Sequence, residues 1–385
     1  MTQILQSIKD FFAPKEPLPP GFYTYQSPPE AEDQYKLYLR IESDGTGILI
    51  INAATVLHLN KTAVEFAYHY MHGVNTSRVV ELVSNRYNVS PQQVQMDYQE
   101  FLEKILALIY TPDLDPVTYL DLERQEPYTD NISAPYRLDC ALTYRIDEGV
   151  YSSDTPLDRV VRELSTEEWK TIIEKAFKVG IPHLLFTGGE PTLREDLPEL
   201  IEKAEHLGMV TGLLTNGLKL GDDAYRNSLL SNGLDHLMIV LDPDNLDQWK
   251  ILEKIFAEDC FTTVHLTLRE GQNLQPYILQ LAEMGANALS LSTADDGLAN
   301  ELQQCRDTAA MHQLELVWDL PVPYSQNNPV ALELAKLADQ PAPEGAGKAW
   351  LYVEPDGDVL PAQGLYDQIL GNLLTDPWEK IWSKG

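Results

Sequence analysis

Phe186-Thr187-Gly188-Gly189-Glu190-Pro191-Thr192-Leu193 is the stretch on which the reading of this chain turns. An apolar run, Ile181 to Phe186, precedes it and has the length of a buried parallel strand. Arg194 to Gly208 follows, with the spacing of an amphipathic helix that stops on a glycine. Strand, glycine pair, acid and helix together predict a βα loop at the carboxyl end of a strand. That is where α/β sheets and barrels place ligand chemistry. Glycines there let backbone approach a ligand closely, and Glu190 is suited to grip an ammonium group. The same residues also suit a plain tight turn whose acid caps the helix. The flanking sequence has to decide.

Downstream and upstream the same alternation recurs. Strands are expected at Arg137 to Tyr144, His183 to Thr187, Met209 to Thr215, Leu234 to Leu241, Phe261 to Leu268 and Ala288 to Leu291. Helical patterns separate them, one opened by a capping box, Ser165 with Glu168, ahead of Trp169. Six βα units over residues 136–340 predict an α/β fold with a parallel sheet, a partial (βα)6 TIM-type barrel. Asn216 and Asp242 fall at the ends of later strands and face the same mouth. Residues 341–385 read as a separate small element. It has a hairpin around Pro355-Asp356-Gly357-Asp358 and a terminal helix, Trp378 to Trp382.

On the amino side, residues 1–34 form an N-terminal segment whose Ile4, Leu5, Ile8, Phe11 and Phe12 have near-helical spacing. Lys9 and Asp10 interrupt it, so it does not read as a secretory signal. Residues 35–110 predict a winged-helix unit. Tyr35 to Ile41 and Gly47 to Ile51 make a hairpin across Ser43-Asp44-Gly45, with Ile50 on an exposed wing strand. Three helices follow, capped by Asn60, Thr76 and Ser90, the last with Pro91 in its first turn. Val94, Tyr98, Phe101, Ile105 and Leu108 line one face of the third and read as core. Residues 111–135 carry Asp113, Asp115, Asp121, Glu123, Glu126 and Asp130 against Arg124, the composition of an acidic linker.

The totals exclude some function classes. A formal net charge of −31 opposes binding to nucleic acid or an anionic membrane surface. No run approaches the roughly 18 apolar residues of a membrane-spanning helix. The three cysteines, Cys140, Cys260 and Cys305, are far apart and show neither metal spacing nor a disulfide pattern, so a cytoplasmic location is expected.

Residues 35–110 resemble the PqqD-like leader-peptide recognition element. The likeness rests on Leu57-x-Leu59-Asn60-x-Thr62-Ala63, His72-Gly73-Val74-Asn75-Thr76, Val79-Val80-x-x-Val83 and Val94-x-x-Asp97-x-x-x-Phe101-Leu102. It implies that a substrate or leader peptide adds as a strand to the exposed hairpin edge, beside the third helix. The large region resembles a radical S-adenosylmethionine (SAM) enzyme of the peptide-maturase branch. Leu142-Thr143-Tyr144-Arg145, Phe186 to Leu193 with Arg194-x-Asp196-Leu197, and Leu214-Thr215-Asn216-Gly217 carry that likeness. The tail, through Ala346-Gly347, Pro355 to Pro361 and Gly371-Asn372-Leu373, is similar to a SPASM-type extension.

The radical SAM resemblance implies three thiolates, spaced CxxxCxxC after the first strand, that hold a [4Fe-4S] cluster. Ile146, Val150 and Ser153 occupy the three positions in register, and Glu344 and Ala362 stand where the extension's cysteines would fall. Isoleucine and valine carry no donor atom, so no iron–sulfur cluster is expected. Asp147, Glu148 and Asp154 make the loop acidic and suited to a hard cation or to solvent. By the same resemblance Gly188, Gly189, Glu190 and Asn216 form a residual, weak SAM site, with no cofactor required and no catalytic residue assigned. The resulting expectation is a non-catalytic, peptide-binding protein of the radical SAM fold that assists an active maturase partner. The alternative is a SAM-dependent or radical SAM peptide-modifying enzyme with atypical cluster ligands.

Overall fold

The computed structural model describes residues 18–28, 30–31, 34–53, 55–111, 132–147, 150–151, 159–293, 295–317, 342–343 and 345–383. The expectations for the N-terminal helix and most of the acidic linker, and for Glu148, Ser153, Asp154 and Glu344, lie outside those residues. The chain divides into two units, residues 1–130 and 131–385.

The first unit is an antiparallel sheet followed by three helices. Its strands are β1 (Gly21–Gln26), β2 (Lys36–Ile41), β3 (Gly47–Ile51) and β4 (Thr55–Leu59), paired in the order β1-β2-β3-β4. The sequence predicts only the β2–β3 hairpin. β4 escapes because the turn before it is Asn52-Ala53, both in the left-handed region (φ 51° and 55°), without the Asn-Gly or Asp-Gly signal such turns favour. Ile50 is therefore not on an edge. It sits on β3 between β2 and β4 and is 1% exposed. The helices are α1 (Lys61–Met71), α2 (Thr76–Tyr87) and α3 (Pro91–Tyr110). Asn60, Asn75 and Ser90 cap them by accepting backbone N–H bonds, so the cap of α2 lies one residue before the expected Thr76. Leu37, Leu39, Leu49, Ile51 and Leu57 form a core with Val64, Met71, Ile105 and Leu108 from α1 and α3.

The second unit is built on a ten-stranded sheet. Its strands are β5 (Arg137–Thr143), β8 (His183–Gly188), β9 (Val210–Thr215), β10 (His236–Val240), β11 (Phe261–Leu268), β12 (Ala288–Thr293), β13 (Glu315–Leu316), β14 (Trp350–Val353), β15 (Asp358–Leu360) and β16 (Gly371–Asn372). β6 (Arg145–Asp147) and β7 (Val150–Tyr151) pair separately as a small hairpin. The order β13-β12-β11-β10-β9-β8-β5-β14-β15-β16 is parallel from β13 to β14. The tail is thus no separate element: β14 pairs in parallel with β5, and β15 and β16 extend the sheet antiparallel.

The connecting helices are α4 (Thr166–Lys178), α5 (Leu197–His206), α6 (Asp223–Ser231), α7 (Leu246–Ile255), α8 (Gln275–Met284) and α9 (Ala299–Met311), and α10 (Trp378–Trp382) closes the chain. Alternation sorts the strand residues. Leu138, Leu184, Phe186, Leu213, Ile239, Val264 and Leu289 join the main core with Trp169, Ile172, Leu200 and Leu252 of the helices. Leu185, Leu214 and Met238, of opposite parity, form their own cluster on the other face. The Ser165–Glu168 capping box opens α4 as the sequence predicts.

Candidate functional site

At the carboxyl end of β5 the register with β8 slips, Ala141 facing Thr187 and Thr143 facing Gly188, so Leu142 is the extra residue of a bulge. The bulge brings the chain across the glycine pair. Gly189 N–H donates to the Thr143 carbonyl and Glu190 N–H to the Arg145 carbonyl, each at 2.7 Å. Here the glycines are obligatory. A Cβ on Gly188, whose φ is +121°, would stand 2.2 Å from the Thr143 oxygen, and one on Gly189 2.1 Å from the Arg145 oxygen. The pair therefore seats the chain's own Thr143–Arg145 segment. Glu163 secures that segment from the other side, accepting from Thr143 Oγ1 at 2.5 Å and Tyr144 N–H at 3.2 Å.

Glu190 is 4% exposed, and its carboxylate is fully engaged. Oε1 accepts from Thr192 N–H (3.0 Å), Thr192 Oγ1 (2.5 Å) and Thr215 Oγ1 (2.7 Å), and Oε2 from Asn216 N–H (2.7 Å). It caps the short 3-10 turn Pro191–Leu193 and ties the end of β8 to the end of β9. All four of these bonds come from donors of the chain itself.

Asn216 continues the tie. Its Oδ1 accepts from Leu218 N–H at 2.9 Å, and its carbonyl accepts from Gln248 Nε2 at 2.6 Å. Gln248, at the start of α7 and 4% exposed, also donates to the Val240 carbonyl (3.0 Å) and accepts from Asp242 N–H (2.8 Å). The sequence reading places Glu190, Asn216 and Asp242 at one mouth, and the structure joins them through Gln248, which that reading misses. No periodic signal marks it, because Gln248 reads as one polar residue on an amphipathic helix. Asp242 is exposed, as are Asp244 and Leu246 in the same turn. Lys219 reaches back to the Thr192 carbonyl at 2.6 Å and lies 4.4 Å from the ring centroid of Tyr225. Burial pushes the Tyr225 phenol well above its ordinary range.

The tail completes the neighbourhood of β5. Glu354, 1% exposed, accepts from Tyr144 OH (2.7 Å) and from Arg159 Nε and Nη2 (3.1 and 2.6 Å), while Arg159 also donates to the Tyr366 carbonyl at 2.7 Å. Tyr144 packs there with Ala141, Tyr352 and Leu360. Burial and the Glu354 charge raise the Tyr144 phenol far beyond the physiological range, so it stays a donor.

The structure scatters the cysteines. Cys140 lies inside β5, Cys260 just before β11 and Cys305 on α9, all buried. Burial raises all three thiols, Cys260 to about 12, which keeps them protonated. Ile146 and Val150 fall on β6 and β7. Among the described residues no group of three or more His, Cys, Asp or Glu side chains could hold a metal ion. Isoleucine and valine carry no donor atom, so among the described residues no three thiolates come together to hold a cluster. At the strand ends, the half-buried Asn216 offers an amide and the exposed Asp242 a carboxylate.

Residues 149–265 match the Radical SAM superfamily. The match begins in the β6–β7 hairpin and runs through β8, β9, β10 and most of β11. The chain is 27% identical over 278 residues to the PqqA peptide cyclase of Streptomyces rochei, spanning 65% of this chain and 76% of that protein. It is 38% identical over 110 residues to the PqqA peptide cyclase of Granulibacter bethesdensis, 28% of this chain but only 29% of that relative's length. Among solved structures, Streptococcus suis SuiB bound to S-adenosylmethionine aligns over 94% of this chain and 88% of its own, with 17% identity and a TM-score of 0.60. That likeness shows the α/β fold with its parallel sheet.

These findings correct two expectations. The non-catalytic reading is overturned because the matching curated relatives are named as cyclases, hence as enzymes, which favours the enzyme alternative. The expectation that no cofactor is required falls with it, because the matched superfamily is named for SAM and SuiB is solved with SAM bound. The described residues also contain no helix long and apolar enough to cross a membrane.

Proposed function

We propose that the chain is a SAM-dependent peptide-modifying enzyme whose second unit binds SAM at the ends of β8, β9 and β10 and whose first unit holds the peptide. The observation that carries this reading is the continuous tie Glu190–Asn216–Gln248–Asp242, which fixes three strand-end loops at the edge where α/β sheets bind ligands. SAM supplies a sulfonium whose carbon–sulfur bonds are activated toward cleavage. The chain's own part is placement: Gly188 and Gly189 seat the Thr143–Arg145 segment, Asn216 presents its side-chain amide, and Asp242 presents a carboxylate to solvent. The names of the relatives and the solved complex of SuiB with its precursor peptide SuiA support a peptide as the substrate.

The first unit is read as PqqD-like, and the tail strands β14 to β16 as a SPASM-like extension without cysteines. The peptide would extend the sheet at β4, whose inner edge pairs with β3, rather than at Ile50. Val56→Pro and Leu57→Pro separate the two edges, since adjacent N–H groups point to opposite sides of a strand. The variant whose outward N–H is lost should lose peptide binding while keeping its fold. Equal peptide affinity in both folded variants and the parent would defeat this assignment.

The test of the whole reading incubates the purified full chain with SAM and, in turn, the PqqA and SuiA precursor peptides, followed by mass spectrometry. A changed peptide mass that requires both SAM and the chain is expected. An unmodified peptide, with SAM intact, would overturn the reading.

A further inference from the structure

We propose that Gln248 is a positioning residue of the strand-end site, a role that rests on the SAM-binding reading above. The argument is geometric. The side-chain amide of Gln248 has one acceptor and two donor hydrogens, and all three are matched: to Asp242 N–H at 2.8 Å, to the Asn216 carbonyl at 2.6 Å and to the Val240 carbonyl at 3.0 Å. Two of these partners, Asn216 and Asp242, belong to different loops that hold the groups facing a ligand. The third is the last residue of β10, so the loops are referenced to the rigid sheet.

Asn245 begins α7 by accepting from Asp247 and Gln248 N–H, which holds the Gln248 backbone at the same end. Trp249 donates its indole N–H to the Pro243 carbonyl at 2.9 Å and pins the turn between Asp242 and α7. The first turn of α7 is therefore a rigid arm from which one amide spans two loops. No other residue type does this at equal length. Glutamate lacks the donors, and methionine matches the shape without any of the three bonds.

The test uses Gln248→Met and Gln248→Glu in the full chain, with three readouts: melting temperature, amide hydrogen exchange and SAM affinity by calorimetry. Gln248→Met should raise exchange at Asp242 and over 216–218 at least tenfold, leave the amides of β5 and β8 unchanged, and weaken SAM at least tenfold. Gln248→Glu keeps the bond from Asp242 N–H and loses both bonds to carbonyls. It should leave Asp242 protected, loosen 216–218 and weaken SAM to a similar degree. Unchanged exchange in both variants overturns the tie itself. Faster exchange with parental SAM affinity shows a structural role only and overturns the positioning claim. A parent chain that binds no SAM overturns the SAM reading and, with it, positioning for SAM, while the exchange data still show whether the tie exists.

Discussion

The two ends of one sheet use polar residues in opposite ways. At the amino end, strand side chains bond to each other. His183 on β8 and His236 on β10 meet at 2.7 Å between Nε2 atoms, and Arg137 pairs with Asp139 on β5 at 2.7 Å. The histidines reach across β9 only because Gly212 lies between them, where a Cβ would stand 2.2 Å from the His236 ring. At the carboxyl end, side chains bond instead to the backbone of loops: Glu190 to Asn216 N–H, Gln248 to the Asn216 carbonyl and Asp242 N–H. At the amino end the His183–His236 and Arg137–Asp139 pairs engage one another. The carboxyl end fixes loops and leaves Asp242 exposed. The difference teaches that buried polarity marks a binding edge only where it orders backbone that faces solvent.

Acid should separate the two ends most strongly. Burial and the nearby Arg137 charge lower His236 to about 4, burial and the neighbouring His236 hold His183 well below the ordinary imidazole range, and burial lowers His265, bonded to Ser290, Thr267 and Ser292, to about 3. The folded state thus holds fewer protons than the unfolded one below pH 6.5. The stability present above that pH is lost as pH falls from 6.5 toward 4. At roughly 1.4 kcal/mol per pKa unit, His236 and His265 together should remove about 4 kcal/mol by pH 5, and His183 acts in the same direction. Denaturant melts at pH 7 and pH 5 would check it, and equal stability at both would break the contrast.

Gly212→Ala comes next. The added methyl meets the His236 ring and should cost about 3 kcal/mol, with SAM affinity of the folded fraction retained. Parental stability would mean the histidine pair is not seated across β9. Glu190→Gln works on the other end. It sets an amide against four donors and should cost about 2 kcal/mol while weakening SAM more than tenfold. Calorimetry on the folded variant reads both, and undiminished affinity would show that the strand-end tie does not order the site. Lys219→Met is the smallest, with about 0.5 kcal/mol from the bond to the Thr192 carbonyl and a two- to threefold change in SAM affinity.

Much of the second unit was legible because strand and helix periods alternate cleanly. All six expected strands form, and the glycine pair lies at the end of β8. What escaped has physical reasons. The turn into β4 carries no glycine. β14 joins β5 from more than 200 residues away, a pairing no local pattern encodes. Glu190 is visible as an acid in a loop, but two of its four donors depend on Thr215 and Asn216 being brought beside it. Gln248 was invisible for the same reason. The step from Ile146 and Val150 to a chain without activity is not sustained by the relatives, which are named as cyclases.

Calorimetric titration of SAM into the purified full chain, beside Glu190→Gln, tests the central claim most directly. One equivalent bound by the parent and at least tenfold weaker binding by the variant is the predicted result. No saturable heat with the parent, or equal affinity in both proteins, would contradict it.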